Sequence, residues 1–273
     1  MSDILPTYNQ YRIEVPQEYE EVITHFYYAD NKTNEVVTHQ LIPSYQTVLV
    51  FVFGELMTIS HQDQEEVALD KCIVLGPIKK SMTYSIHPRS SMLVVHFKDD
   101  AFYRFFGTAL IDQATPMHPD ELVLDNCFTM LWKQLSVLST TEEKVDLVLT
   151  FCRPYIKPQE SVAQQLSNFD GAALSPIKAI AEENGQSERS IQLRHKKYFG
   201  YSAKEINRYQ RFLQALEIIN IKTVENETVN WFDIIVECGY YDQSRLIHDF
   251  RYYLNLTPTK YLQLQEYICN PIP

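Results

Sequence analysis

Phe232-Asp233-Ile234-Ile235-Val236-Glu237-Cys238-Gly239, followed by Asp242-Gln243-Ser244-Arg245-Leu246-Ile247-His248-Asp249-Phe250-Arg251, decides how the second half of this chain folds. The first stretch carries apolar residues at helical spacing and stops at a glycine, which ends helices by tolerating a left-handed backbone. The second opens on Asp242, whose carboxylate can accept hydrogen bonds from the free amides of a first turn. A short helix, a tight turn and a longer capped helix are the parts of a helix-turn-helix, and its second helix can enter a DNA major groove. The same phrase stands earlier in the chain. It runs Ile177-Lys178-Ala179-Ile180-Ala181-Glu182-Glu183-Asn184-Gly185, then Ser187-Glu188-Arg189-Ser190-Ile191-Gln192-Leu193-Arg194-His195-Lys196-Lys197. A duplicated unit is harder to obtain by chance than a single one.

Punctuation between and around the copies agrees. Ser202-Ala203-Lys204-Glu205 has capping-box spacing. The segment Ala203 to Ile221 then places Ile206, Tyr209, Phe212, Leu213, Leu216 and Ile219 on one helical face. Ser175-Pro176 and Thr257-Pro258 each set a cap before a proline at a first helical position. The residues therefore predict two helix-turn-helix units joined by a long linker helix.

The first half reads differently. Val48-Leu49-Val50-Phe51-Val52-Phe53 is an apolar run too short for a helix and rich in β-branched and aromatic residues. Leu56 to Ile59, Cys72 to Pro77, Met82 to Ile86 and Met92 to Phe97 follow at short intervals, and Glu20 to Tyr28 and Glu35 to Leu41 add two more candidate strands. Short strands separated by turns predict a barrel or sandwich. From Asp99 the pattern turns helical. Ala101 to Phe106 is closed by Gly107, and Leu124, Phe128, Leu131, Leu135 and Leu138 make one face. Thr140-Thr141-Glu142-Glu143 opens a further helix that runs to Cys152, before Pro154 and Pro158. The expectation is an α+β chain: residues 1–158 as a β-rich domain with helices, 159–173 as a linker, and 174–273 as an all-α domain.

Composition bounds the function. Of 273 residues, 45% are hydrophobic, enough to build a core. The net charge is −11, yet from residue 173 onward 12 Lys and Arg balance 12 Asp and Glu, so the acidity belongs to the first part. A neutral C-terminal part predicts modest non-specific phosphate affinity, and specific binding that leans on oriented contacts. No apolar run reaches the roughly eighteen residues of a membrane span, and Met1 to Thr7 lacks a signal-peptide pattern. The expected location is the cytoplasm. Five widely spaced cysteines form no CxxC pair and predict reduced thiols rather than zinc ligands.

The C-terminal arrangement, from Leu174 to Gln265, resembles the DNA-binding domain of the AraC/XylS family of transcription regulators. The strongest fragments are Glu237-Cys238-Gly239-Tyr240-Tyr241-Asp242-Gln243-Ser244, Phe250-Arg251 and Thr257-Pro258 with Tyr261. In the first copy they are Ser187-Glu188-Arg189-Ser190 and Lys196 to Glu205. The first half looks like the cupin-like sensing domain common in that family, through the Gly76-Pro77 turn and the Asp99 to Gly107 helix. Two positions depart from the family: Ile235 stands where alanine is usual and His195 where phenylalanine is usual. They predict more open packing in the second unit and a looser core in the first. Asn255 replaces the helix-ending glycine seen at Gly200, and asparagine is the next best residue there.

The resemblance implies that each second helix presents its outer N-terminal half to base edges. In the first copy this half holds Arg189, Gln192 and Leu193, with Arg194 beside them; in the second it holds Gln243, Ser244, Arg245 and His248. Arg189 suits guanine, Gln192 adenine, and Leu193 a thymine methyl. Lys196, Lys197, Arg251 and Lys260 are phosphate-contact candidates. The implied partners are double-stranded DNA, RNA polymerase, an unidentified small-molecule effector and a second copy of the chain. Tyr27, Tyr28, Tyr45, Tyr84 and Tyr103 are candidates to line an effector pocket, against the alternative that they are core.

No catalytic residue, cofactor or metal is expected. His25, His39, His61, His87, His96 and His118 form no HxH pattern, and no GxSxG, P-loop, GxGxxG or HExxH is present. The leading expectation is an effector-responsive, sequence-specific transcription regulator of the activator type. The competing readings are a cupin-type small-molecule-binding protein or enzyme with a degenerate helical domain, a repair regulator with a reactive cysteine, and helical units that contact protein instead of DNA.

Overall fold

The computed structural model describes residues 7–61, 65–109, 116–168, 176–225 and 227–264. The Ser175 cap, Gln265 and Cys269 lie outside the described residues, as does the side chain of His61. The described strands are β1 (Tyr8–Ile13), β2 (Ile23–Asn31), β3 (Val37–Leu41), β4 (Val48–Phe53), β5 (Met57–His61), β6 (Val67–Leu69), β7 (Cys72–Leu75), β8 (Met82–Ile86) and β9 (Ser90–Phe97). They form a five-stranded sheet in the order β1-β2-β9-β4-β7 and a four-stranded sheet in the order β3-β8-β5-β6, with every pairing antiparallel.

Side chains alternate between the faces of a strand, and β4 shows why its sequence is apolar throughout. Val48, Val50 and Val52 pack with Met57, Ile59, Met82 and Ile86 of the opposing sheet. Leu49 and Phe51 pack, with Leu93 and Val95 of β9, against a helical layer. That layer comprises α1 (Ala101–Phe106), α2 (Pro119–Val123), α3 (Cys127–Val137) and α4 (Thr141–Cys152). A strand covered on both faces has no use for polar residues. The N-terminal part is thus an antiparallel β-sandwich with helices on one side.

Two local readings differ from the sequence expectation. Leu124 does not continue the face of Phe128 and Leu131; it is left-handed and 91% exposed. The helix begins later because the Asp120 carboxylate accepts from the amides of Phe128 (2.7 Å) and Thr129 (3.1 Å). The strands β1 and β6 also escaped the pattern, since β1 is an edge with four exposed positions and β6 has only three residues.

The C-terminal part is helical: α5 (Ser161–Ser167), α6 (Pro176–Glu183), α7 (Glu188–Phe199), α8 (Ala203–Val224), α9 (Trp231–Glu237), α10 (Gln243–Leu254) and α11 (Pro258–Leu264). One core joins Val162, Ala163 and Leu166 of α5 to Ile177, Ile180, Ile191, Tyr198 and Phe199. A second joins α8, α9, α10 and α11 through Phe212, Leu216, Ile219, Ile234, Leu246, Phe250 and Tyr261. No described helix is long and apolar enough to cross a membrane.

On the neighbouring strands β2 and β9 of the five-stranded sheet, the rings of His25 and His96 stack at 4.1 Å. The His96 Nδ1 lies 3.2 Å from the Gln46 carbonyl oxygen, so that nitrogen carries the proton. Burial, followed by the Arg12 guanidinium, lowers the pKa of His25 to about 4, and burial lowers that of His96 as well. Both rings are therefore neutral when folded, whereas an unfolded chain binds protons there below about pH 6.5. This contribution to stability is complete above about 6.5 and is lost as pH falls toward 4. Thermal melts of the intact protein should show a melting temperature that declines across that window. His25→Gln should make the decline shallower, and an unchanged slope would exclude the pair as its source.

Candidate nucleic-acid interface

The pairs α6–α7 and α9–α10 are built alike. After α6, Gly185 takes a left-handed turn (φ 61°) and the amide of Gln186 donates to Ala181 O at 2.9 Å. After α9, Gly239 does the same (φ 67°) and the amide of Tyr240 donates to Ile235 O at 2.9 Å. Ser187 Oγ then accepts from Ser190 N (3.2 Å), and Asp242 Oδ1 accepts from Arg245 N (2.9 Å), which starts α7 and α10. Each ends on a left-handed residue, Gly200 (φ 76°) or Asn255 (φ 58°). The capping box of Ser202 and Glu205 opens α8, the single helix of 22 residues between the pairs.

The N-terminal halves of α7 and α10 face outward. Arg189, Gln192 and Leu193 are exposed on α7 with Arg194 half-buried, and Gln243, Ser244, Arg245 and His248 are exposed on α10. Lys196, Arg251 and Lys260 are exposed too; Arg251 borders a hollow of about 250 Å³ with Trp231, Thr257 and Pro258. Lys197 is exposed but reaches back, with Nζ 5.4 Å from the ring of Tyr103 and 5.8 Å from that of Tyr198. The residues singled out from sequence thus fall on two helix faces, while Ile191, Leu246 and Phe250 are buried behind them.

His195 is also buried, and its ring packs on Phe199 (4.8 Å) and Tyr201 (5.5 Å). Its Nδ1–H donates to Tyr201 O at 2.7 Å, and burial lowers its pKa. A neutral histidine therefore closes this core and ties α7 to the turn that follows. Ile235 is half-buried within the second core.

The C-terminal ends of the same two helices are gripped by the sandwich. At α7, Tyr198 packs on Tyr103 of α1 (5.0 Å) and donates to Glu160 Oε2 (2.6 Å). At α10, Tyr253 O accepts from Ser81 N (2.9 Å), and Lys80 Nζ lies 5.0 Å from the Tyr252 ring. Between them, Tyr45 stacks on Tyr209 of α8 (4.5 Å) and meets Tyr201 and Tyr253 edge-on. Lys79 pairs with Glu205 at 2.9 Å, and Tyr209 donates to Pro43 O. The sequence singled out Tyr45 and Tyr103 only as pocket candidates, Tyr209 only as part of the α8 face and Glu205 only as a cap. Contacts between residues far apart in the chain leave no local pattern.

The other aromatic candidates lie elsewhere. Tyr27 donates to Gln10 (2.6 Å) and lies 3.3 Å from the Tyr84 hydroxyl, and Tyr8, His39 and Tyr84 stack in series at that end of the sandwich. Tyr28 packs with Tyr11 on another face. His118 Nε2 lies 3.3 Å from Cys72 Sγ, but Cys72 is fully buried and burial pushes its thiol up to about 12, so no thiolate forms. Among the described residues no group of three or more His, Cys, Asp or Glu is placed to hold a metal.

Comparison with known proteins adds little to this geometry. A family described as a domain of unknown function (DUF6597) matches residues 12–143. No curated protein matches the chain in sequence. Among solved structures, ToxT from Vibrio cholerae is similar at 12% identity and a TM-score of 0.42, over 94% of this chain and 98% of that one. A cupin superfamily protein from Desulfitobacterium hafniense DCB-2 is similar at 16% identity and a TM-score of 0.28, over 36% of this chain and 84% of that one.

A methyl group added at Gly200 would meet Ala109 O at 2.3 Å and Pro77 Cγ at 2.7 Å, whereas one added at Gly107 (φ 77°) meets nothing within 4 Å. Gly107→Ala should therefore cost only the left-handed conformation, about 1–2 kcal/mol. Gly200→Ala should cost about 2 kcal/mol more, by displacing the sandwich from α7. Urea denaturation of the two variants tests this; equal losses would mean that the seam yields freely at Pro77.

Proposed function

We propose that the chain is a sequence-specific DNA-binding transcription regulator of the AraC type. The observation that carries this reading is the repeated display of a capped helix whose outer N-terminal half is free while its other end is held. Residues 174–273 would be the DNA-binding domain, 1–158 the sensing and dimerisation domain, and 159–173 the connection, whose helix α5 packs against α6 and α7. In this reading α6–α7 and α9–α10 are helix-turn-helix units. With its 22 residues, α8 is about 33 Å long, on the scale of the roughly 34 Å between adjacent half-sites on a duplex. Arg189, Gln192, Leu193, Ser244, Arg245 and His248 would meet base edges, and Gln243, Arg194, Lys196, Lys197, Arg251 and Lys260 would meet phosphates or flank the reading face.

The N-terminal domain would act through the seam. Loops 42–45 and 78–81 touch α8 and the end of α10, and α1 touches the end of α7. A small-molecule effector that shifts either loop would change how the two reading helices sit relative to each other. Regulation in a cytoplasmic setting, contact with RNA polymerase and a homodimer paired through the N-terminal domain complete the proposal.

Selection from a random double-stranded library, with the winners measured by fluorescence anisotropy at two salt concentrations, tests it. The expected product is an asymmetric site with two half-sites about one turn apart. Arg189→Ala should relax one base pair and cost roughly 1–3 kcal/mol on the selected site. Lys196→Ala and Lys197→Ala should weaken all sequences alike and flatten the salt dependence. Identical effects of all three on selected and random DNA would overturn the assignment of roles.

A further inference from the structure

His248 differs from the other exposed residues of α10 because a second helix holds its ring. Arg208 of α8 donates through Nε to Asp249 Oδ1 at 2.7 Å, and its Nη2 lies 2.6 Å from the same oxygen. The other carboxylate oxygen accepts from the Tyr240 hydroxyl at 3.1 Å. Asp249 is buried, so this ion pair is fixed on both sides, and the guanidinium also lies over the Tyr252 ring at 4.4 Å. The same Nη2 is 2.9 Å from His248 Nδ1.

A guanidinium offers only donors. His248 Nδ1 must therefore accept, which leaves the proton of the neutral ring on Nε2. The side chain is 67% exposed, one turn along from Ser244 and Arg245 on the outward face. Its free polar atom is thus a donor and nothing else. In the major groove, guanine offers two acceptors, adenine sets an acceptor beside a donor, thymine sets one beside a methyl, and cytosine offers a donor. A one-way donor is best matched by guanine.

Among the described residues the first copy shows no such brace. Leu193 holds the position six residues after its cap that His248 holds after Asp242, and Arg194 stands where Asp249 stands. The two copies therefore present different chemistry at the same place, an apolar side chain in one and a directed hydrogen-bond donor in the other.

We propose that Arg208 fixes the His248 imidazole as an Nε2–H donor and so makes His248 the guanine-selecting residue of the second half-site. This rests on the DNA-binding reading above. Arg208 is a positioning residue, and His248 is the one that touches the base.

The test repeats the library selection with the full chain as wild type, His248→Gln, His248→Ala and Arg208→Lys. A glutamine amide both donates and accepts and suits adenine. One base pair of the second half-site should change from guanine to adenine in His248→Gln and lose its preference in His248→Ala, by roughly tenfold. All other positions and the salt dependence should stay as in wild type. Arg208→Lys keeps a cation beside Asp249 and should relax the same base pair alone. The His248 variants alter an exposed side chain, so they test the proposal even if Arg208→Lys unfolds. A guanine preference that survives His248→Ala would overturn the inference and leave the regulator reading intact. So would a uniform loss on all sequences with a flatter salt slope, which would make His248 a phosphate contact. No enrichment by the wild-type chain would overturn both.

Discussion

Tyr45 has its ring stacked on Tyr209 and bordered by Tyr201 and Tyr253, so one side chain of the sandwich completes the core of the helical part. Aromatic pairs of this kind contribute about 0.5–1.5 kcal/mol each beyond the area they bury. Polar contacts fix the register: Ser81 N to Tyr253 O, Lys79 to Glu205, and Tyr209 to Pro43 O. Separating the halves would expose those rings and strand the hydrogen-bonding groups. The placement of α7 and α10 relative to each other depends on this seam as well as on α8.

The seam also explains which parts of the two outer helices are free. Each has a capped N-terminal half with few neighbours and a C-terminal end wedged against the sandwich, at Pro77 and Tyr103 for α7 and at Tyr45 and Ser81 for α10. Orphan amides and the positive end of the helix dipole lie at the free end, which suits an anionic ligand. Within this symmetry the chemistry is uneven. A half-buried Arg208–Asp249 pair braces α10, while α7 is closed by a neutral histidine hydrogen-bonded to the following turn.

Much of this was legible in the residues. Caps and helix stops are local, since a side chain bonds an amide two or three positions away; Thr140, Ser187, Ser202 and Asp242 all act where the spacing placed them. The apolar run of β4 was legible because burial on both faces removes alternation. Leu124 misled because its spacing fits a helix face, while the start of that helix is set by Asp120. The edge strand β1 left no apolar alternation to find. Among the candidate interface residues, Arg189, Gln192 and Arg245 lie on outward faces, as the family resemblance implied, while the partner of His248 was not visible in the sequence.

The sequence by itself determined the two capped helical pairs, the long helix between them and the strand-rich first half, because periodicity and capping act within a few residues. Tertiary structure alone decided that Tyr45 and Tyr103 belong to a seam rather than a pocket, that Lys197 turns back toward Tyr103, and that Arg208 holds His248. Each of these joins residues at least forty positions apart. Such pairs are selected by shape and charge across a folded interface, and no short-range pattern in the chain encodes them.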